Sequence, residues 1–314
     1  MNNGIDTFHL KGGVIDGQTR TLDSLFTSVS GSDNEWVRYR DDRHRKSAEK
    51  WEYVNDQYSG ECVDPGKIER YVPRKVTAEP QEDYEERIGG IAAPTEFPFL
   101  VDSFAGMSEA AERNTRIMLS PEGSSEGFGN SKEAGTVGYK LFENTDGDGT
   151  NWSPFWSRFD NRIIRYFEMW VLVEGIITEA NDETGLQRTL KEPHLRLIDP
   201  VSVTNTRYKG GKLVEAVVEH YADVRTSITE NPARRKRWTV YTLDGWATLE
   251  ERKVKGKDTE IRFIADGEYA YYDSSDRTNG NRCLPLFRTT LPMDRFVSYQ
   301  AARRQNSILK KESE

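Results

Sequence analysis

Apolar positions along this chain change their period about halfway. From residue 35 to 168 they recur every three or four residues, the spacing of helices; from 169 to 292 they gather in short β-branched and aromatic runs. The run E-W-V-R-Y-R-D-D-R-H-R-K-S-A-E-K-W-E-Y-V-N-D-Q-Y sets Trp51, Val54 and Tyr58 on one stripe. It predicts a helix capped by Asn34 and ended by Gly60. A second helix starts near Glu79 and carries Tyr84, Ile88 and Ile91. Pro94 and Pro98 then break the chain before a third, F-L-V-D-S-F-A-G-M-S-E-A-A-E-R. The strongest helical spacing is Phe155, Trp156, Phe159, Ile163, Ile164 and Phe167, behind a start at Ser153 and Pro154. A face that apolar belongs in a core.

The runs M-W-V-L-V-E-G-I-I-T (169 to 178), H-L-R-L-I-D (194 to 199), K-L-V-E-A-V-V-E-H-Y (212 to 221), R-W-T-V-Y-T-L (237 to 243), E-I-R-F-I (260 to 264) and L-P-L-F-R (284 to 288) read as strands. N-D-E-T-G, K-G-G, D-G-W and S-S-D-R-T-N-G-N lie between them as turns. Helices followed by a meander of strands predict an α+β fold. Four regions result: an arm (1–34), a helical region (35–168), a β-rich region (169–292) and a last helix (293–314). Phe296, Val297, Ala301 and Ile308 are expected on the inner side of that last helix, with Arg303, Arg304, Lys310 and Lys311 around it. Residues 120–138, rich in Gly and Ser, read as a loop.

Composition narrows the chemistry. The chain has 314 residues, 35% hydrophobic and 31% charged, with seven Trp, fourteen Tyr and thirteen Phe to fill a core. A net charge of −8 counts against a general nucleic-acid coat. Cys62 and Cys283 do not suggest a disulfide scaffold, and no basic-then-apolar leader or ~20-residue apolar span is present. The histidines His9, His44, His194 and His220 stand apart, without metal-ligand spacing. No nucleophile, phosphate-loop or dinucleotide motif occurs, so no catalytic residue and no cofactor is assigned.

Three stretches remain as site candidates. N-T-D-G-D-G-T-N-W (144 to 152) places Asp146 and Asp148 where oxygen ligands could hold a metal, although a turn feeding the next helix fits better. R-Y-R-D-D-R-H-R-K (38 to 46) fits a solvated helix face better than a phosphate surface. Arg234, Arg235, Lys236 and Arg237 form a denser quartet. It is either a solvated hairpin tip or a contact for nucleic acid or an acidic partner, and Arg303 and Arg304 are assigned with it as candidate contacts.

Several segments, taken in order, resemble portal proteins of tailed bacteriophages. They are D-D-R-H-R-K-S-A-E-K-W (41 to 51), Y-E-E-R-I (84 to 88) with F-L-V-D-S-F-A-G-M (99 to 107), and D-G-D-G-T-N-W-S-P-F-W (146 to 156). L-R-L-I-D-P-V-S-V (195 to 203), V-V-E-H-Y (217 to 221), R-W-T-V-Y-T-L-D-G-W (237 to 246) and L-P-L-F-R-T-T-L-P (284 to 292) continue the likeness. The resemblance implies a non-enzymatic subunit of a head–tail connector ring of about a dozen copies, a dodecamer, at one capsid vertex. Double-stranded DNA is packaged and ejected through such a ring. Its partners would be the major capsid protein, terminase and head–tail adaptors, and its place the virion, after assembly in the host cytoplasm. Residues 35–292 would form the wing and clip side, and residue 293 onward the start of a stem helix; a portal continues past that point with a tunnel loop and crown. The rival expectations are a head–tail adaptor and, behind it, a metal-dependent hydrolase using Asp146 and Asp148.

Overall fold

The computed structural model describes residues 35–75, 79–110, 141–181, 187–224, 233–243, 245–252, 259–267, 269, 284–291 and 297–312, and its principal helices and strands lie among these described residues. The helices are α1 (Asp42–Ser59), α2 (Ile68–Tyr71), α3 (Gln81–Gly89), α4 (Glu96–Ala110), α5 (Trp152–Tyr166) and α6 (Val297–Glu312). The strands are β1 (Glu168–Asn181), β2 (Gln187–Ile198), β3 (Val203–Lys209), β4 (Lys212–Val224), β5 (Ala233–Thr242), β6 (Trp246–Arg252), β7 (Glu260–Gly267) and β8 (Leu286–Thr290). The chain is α+β, with helices first, antiparallel sheet after them and a helix at the end. Residues 1–34, the loop at 120–138, Cys283 and Phe296 lie outside the described residues.

Two compact units divide it. A helical unit comprises Lys46–Val171, Asp199–Val201 and Arg288–Glu314; a sheet unit comprises Met1–Arg45, Leu172–Ile198 and Ser202–Phe287.

In the helical unit two apolar groups are closed. Val54, Phe97, Val101 and Ala302 form one; Cys62, Ile68, Tyr71, Val72 and Leu309 form the other. Trp51 is fully buried and donates its indole N–H to the Tyr166 carbonyl at 3.2 Å, so its polar edge is satisfied. Buried Asp56 accepts from Tyr71 Oη and Lys67 Nζ, each at 2.6 Å. Gly60, at φ 79, ends α1 as expected. At α5 the core face is Phe155, Phe159, Ile163 and Tyr166. Phe167 steps out of the helix into the left-handed region at φ 58, and its N–H closes on the Ile163 carbonyl. Proline at 98 does not break the chain as expected; it sits in the first turn of α4, where a missing N–H costs nothing.

The last helix differs from expectation in its inward side. Ser298, Ala302, Gln305, Asn306 and Leu309 are buried, while Val297 and Ile308 are exposed. Gln305 explains the shift. Its amide oxygen accepts the Phe97 N–H, one of the unpaired donors in the first turn of α4, and its NH2 donates to the Gln57 carbonyl and side chain. Residues 297–312 are therefore a core element of their own unit, tied by polar bonds that an apolar-periodicity reading overlooks.

The five-stranded sheet runs β3-β4-β5-β6-β7, each neighbour antiparallel. Gly210 and Gly211, both at positive φ, make the two-residue turn between β3 and β4. Thr242 N–H to the Gly245 carbonyl closes the turn between β5 and β6 at 2.8 Å. On one face Val217, Trp238, Val240, Leu249 and Ile261 pack with Val37. Asp41, not Asn34, starts α1: its carboxylate accepts the His44 N–H at 2.7 Å, and a 3-10 turn, Glu35–Arg38, occupies the stretch read as helix. β3 and β6 were not expected as strands. V-T-N-T-R-Y-K is too polar for a run of β formers, and W-A-T-L-E-E-R carries two acids whose partners are set by the fold: Arg235 and Arg237 on β5 and Arg252 for Glu250, and Arg38 of the 3-10 turn for Glu251. A second, three-stranded sheet has the order β2-β1-β8.

Candidate functional site

Strand β5 begins at Ala233, so Arg234, Arg235, Lys236 and Arg237 lie inside the sheet and not on a hairpin tip. Alternation then splits the quartet between two faces. Lys236 points with Trp238 toward the apolar face, where its ammonium meets Glu219 at 2.8 Å. Glu219 also pairs with Arg40 and accepts from the Trp238 indole at 3.1 Å. Arg234 lies over the Tyr221 ring, 4.4 Å from its centroid.

The opposite face gathers the charge. Register sets Arg237 against Glu250 on β6, and Arg262 of β7 against the same residue from the other side. Arg235 Nη1 and Arg252 Nε donate to Glu250 Oε1 at 2.8 and 2.9 Å, and Arg237 Nε donates to Oε2 at 2.8 Å. The Glu250 side chain is 0% exposed, while those of Arg235, Arg237 and Arg252 are 33%, 25% and 42% exposed. Three cations on one anion leave two positive charges in excess, held in place from below and open above. Burial pushes the Glu250 carboxyl up, but the hydrogen bonds from Arg235, Arg237 and Arg252 outweigh it and hold the group at about 2. His220 stands across β4 from Arg237; burial lowers its pKa, and the charges of Arg237 and Arg196 act in the same direction. Guanidiniums fixed in this way present forks suited to carboxylate or phosphate.

Glu219, Glu250 and Arg252 were not singled out from the sequence. The signal was the turn T-L-D-G: once it closes between Thr242 and Gly245, pairing places 237 opposite 250.

The other candidates are placed elsewhere. Asp146 Oδ1 accepts the N–H groups of Asp148 and Thr150, each at 3.0 Å, and the Asn144 side chain accepts the Gly149 N–H at 2.7 Å. Burial raises the Asp146 pKa, but bonds from the Thr150 side chain and from backbone N–H groups of the turn bring it below its usual value. Asp148 is exposed, and among the described residues no group of three or more His, Cys, Asp or Glu side chains could hold a metal ion. Arg303 and Arg304 are exposed on α6, Arg303 lying 5.9 Å from the centroid of the Tyr299 ring. They belong to the helical unit, whereas the β5 quartet belongs to the sheet unit.

A further surface feature is apolar. On α4, Phe99, Leu100, Phe104 and Met107 are 74%, 43%, 53% and 67% exposed. At ~100° per residue they cover an arc of about 140°, beside the buried stripe of Phe97, Val101 and Ala105. Among the described residues no helix is long and apolar enough to cross a membrane. Compared with known proteins, the chain matches no family model and no curated sequence.

Proposed function

We propose that this chain is a structural subunit of a portal-type ring of a tailed phage, built into one capsid vertex and threaded by double-stranded DNA. Its main support is helix α4. Four large apolar side chains standing in water forfeit roughly 1–2 kcal/mol each relative to burial, and a surface of that kind marks a contact between proteins. Closure of a ring needs such a heterologous contact repeated by rotation. The ordered likeness of eight segments to portal proteins, spread from residue 41 to 292, supports the same conclusion, as does the α+β architecture.

In this reading α4 carries subunit contact, and α6 contributes its inward side to its own unit. The net charge of −8 per chain suits a wall along which DNA slides, because phosphates held by many cations would stall. The carboxylates with lowered pKa among the described residues serve structure: Glu250 holds three arginines, Asp146 holds a turn and Glu79 holds Arg87. Terminase, the major capsid protein and head–tail adaptors are the partners this role requires. Native mass spectrometry and negative-stain imaging of the full chain test it. A closed ring of about a dozen copies, reduced to monomers by F104D, is the expected outcome; a wild-type chain that stays monomeric at high concentration overturns the proposal.

A further inference from the structure

Resting on the ring reading, we infer that the three-arginine face of β5 and β6 receives the acidic helix α3 of a neighbouring copy. The two surfaces complement each other in charge. On the sheet, Arg235, Arg237 and Arg252 share Glu250 and carry two positive charges in excess, with a quarter to two-fifths of each side chain open to solvent. On α3, Glu82, Asp83, Glu85 and Glu86 occupy four of five consecutive positions and are exposed around buried Tyr84. Glu85 accepts from Gln81, while among the described residues no ion pair involves Glu82, Asp83 or Glu86. Of the cations nearby, Arg87 is engaged by Glu79 at 3.0 Å, and Arg74 donates to the Gln81 side chain and pairs with Glu69 at 4.0 Å. Helix α3 thus presents an unneutralised row of carboxylates within a ~160° arc at ~100° per residue.

A second copy is the occupant because this chain carries both halves of the match, and because two different patches meeting head to tail generate a closed ring when the rotation allows. The guanidiniums suit the task. Glu250 fixes them before contact, so fewer rotamers are lost on binding, and each fork retains N–H donors for a second carboxylate. Like charges on each patch repel in the free chain, which makes the match specific as well as attractive.

Sedimentation of the full chain in low and high salt, with charge-reversed variants, tests the interface. E82K/D83K/E86K changes only exposed positions and should fold. It is expected to weaken self-association at least tenfold, as should ~1 M salt, at which exposed pairs are screened. R252E, at the most exposed of the three arginines, leaves Arg235 and Arg237 on Glu250 and is expected to do the same. Mixing the two variants should restore assembly, since the lysine helix of one then meets the glutamate sheet of the other. Wild-type rings that ignore both salt and E82K/D83K/E86K overturn this interface while leaving the ring reading intact; a wild-type monomer at every salt overturns both. A short DNA duplex retained by the wild type and released by R252E, with sedimentation unchanged, assigns the face to nucleic acid and overturns the contact between copies.

Discussion

Replacing Glu250 by Gln keeps the shape of the side chain and removes the negative charge that Arg235, Arg237 and Arg252 share. A carboxyl moved from 4.5 to about 2 holds on the order of 3 kcal/mol of favourable interaction in its ionised form. The arginines are partly in water, which screens them, so the loss expected for E250Q near neutral pH is about 2 kcal/mol. The sign with pH follows. The folded group binds its proton less readily than the unfolded one, so its contribution is complete above about pH 4.5 and is lost as pH falls toward 2. The gap between wild type and E250Q should shrink by about half or more between about pH 7 and about pH 3. Urea unfolding read by hydrogen exchange in β5 and β6 reports the sheet separately from the helical unit. A difference under about 0.5 kcal/mol at neutral pH, or one that does not change on acidification, would refute the account of Glu250 as an ionised anchor.

Other perturbations test other joints. Q305A leaves the Phe97 N–H and the Gln57 carbonyl without their buried partner and should cost about 2–4 kcal/mol, whereas R304A, on the exposed side of α6, should change thermal stability by less than about 0.5 kcal/mol. At Gly267 an added Cβ would meet the Trp246 ring at 2.8 Å, so G267A should lose about 1–3 kcal/mol in a thermal melt and recover part of it in a W246L background. Burial pushes the Cys62 thiol up to about 11; mass-spectrometric mapping near pH 8 should find its peptide unlabelled by iodoacetamide until the chain is denatured, and labelling at the rate of a free thiol in the native state would contradict that. Asp146→Ala removes the acceptor of two turn N–H groups and should destabilise by about 1–2 kcal/mol, with no recovery on adding Ca²⁺.

Much of the architecture was legible in apolar spacing. The stripe of Trp51 and Val54, the core face of Phe155, Phe159 and Ile163, and six strands of the five-stranded and three-stranded sheets follow from period and turn residues, because burial of one face imposes that period on any sequence. Spacing also located the glycine turn at Gly210 and Gly211, where only a residue without Cβ enters the left-handed region cheaply. What spacing could not decide were the contacts made by polar groups. Whether Arg235 and Arg237 stand in water or share a carboxylate depends on the register that the Thr242–Gly245 turn sets, since one residue of slip moves every side chain to the other face. Whether α6 turns Ile308 or Leu309 inward depends on Gln305 reaching Phe97, 208 positions away in sequence. A hydrogen bond is directional and needs both partners in place, so only the folded chain selects it; apolar burial is not directional, and so its pattern could already be read along the chain.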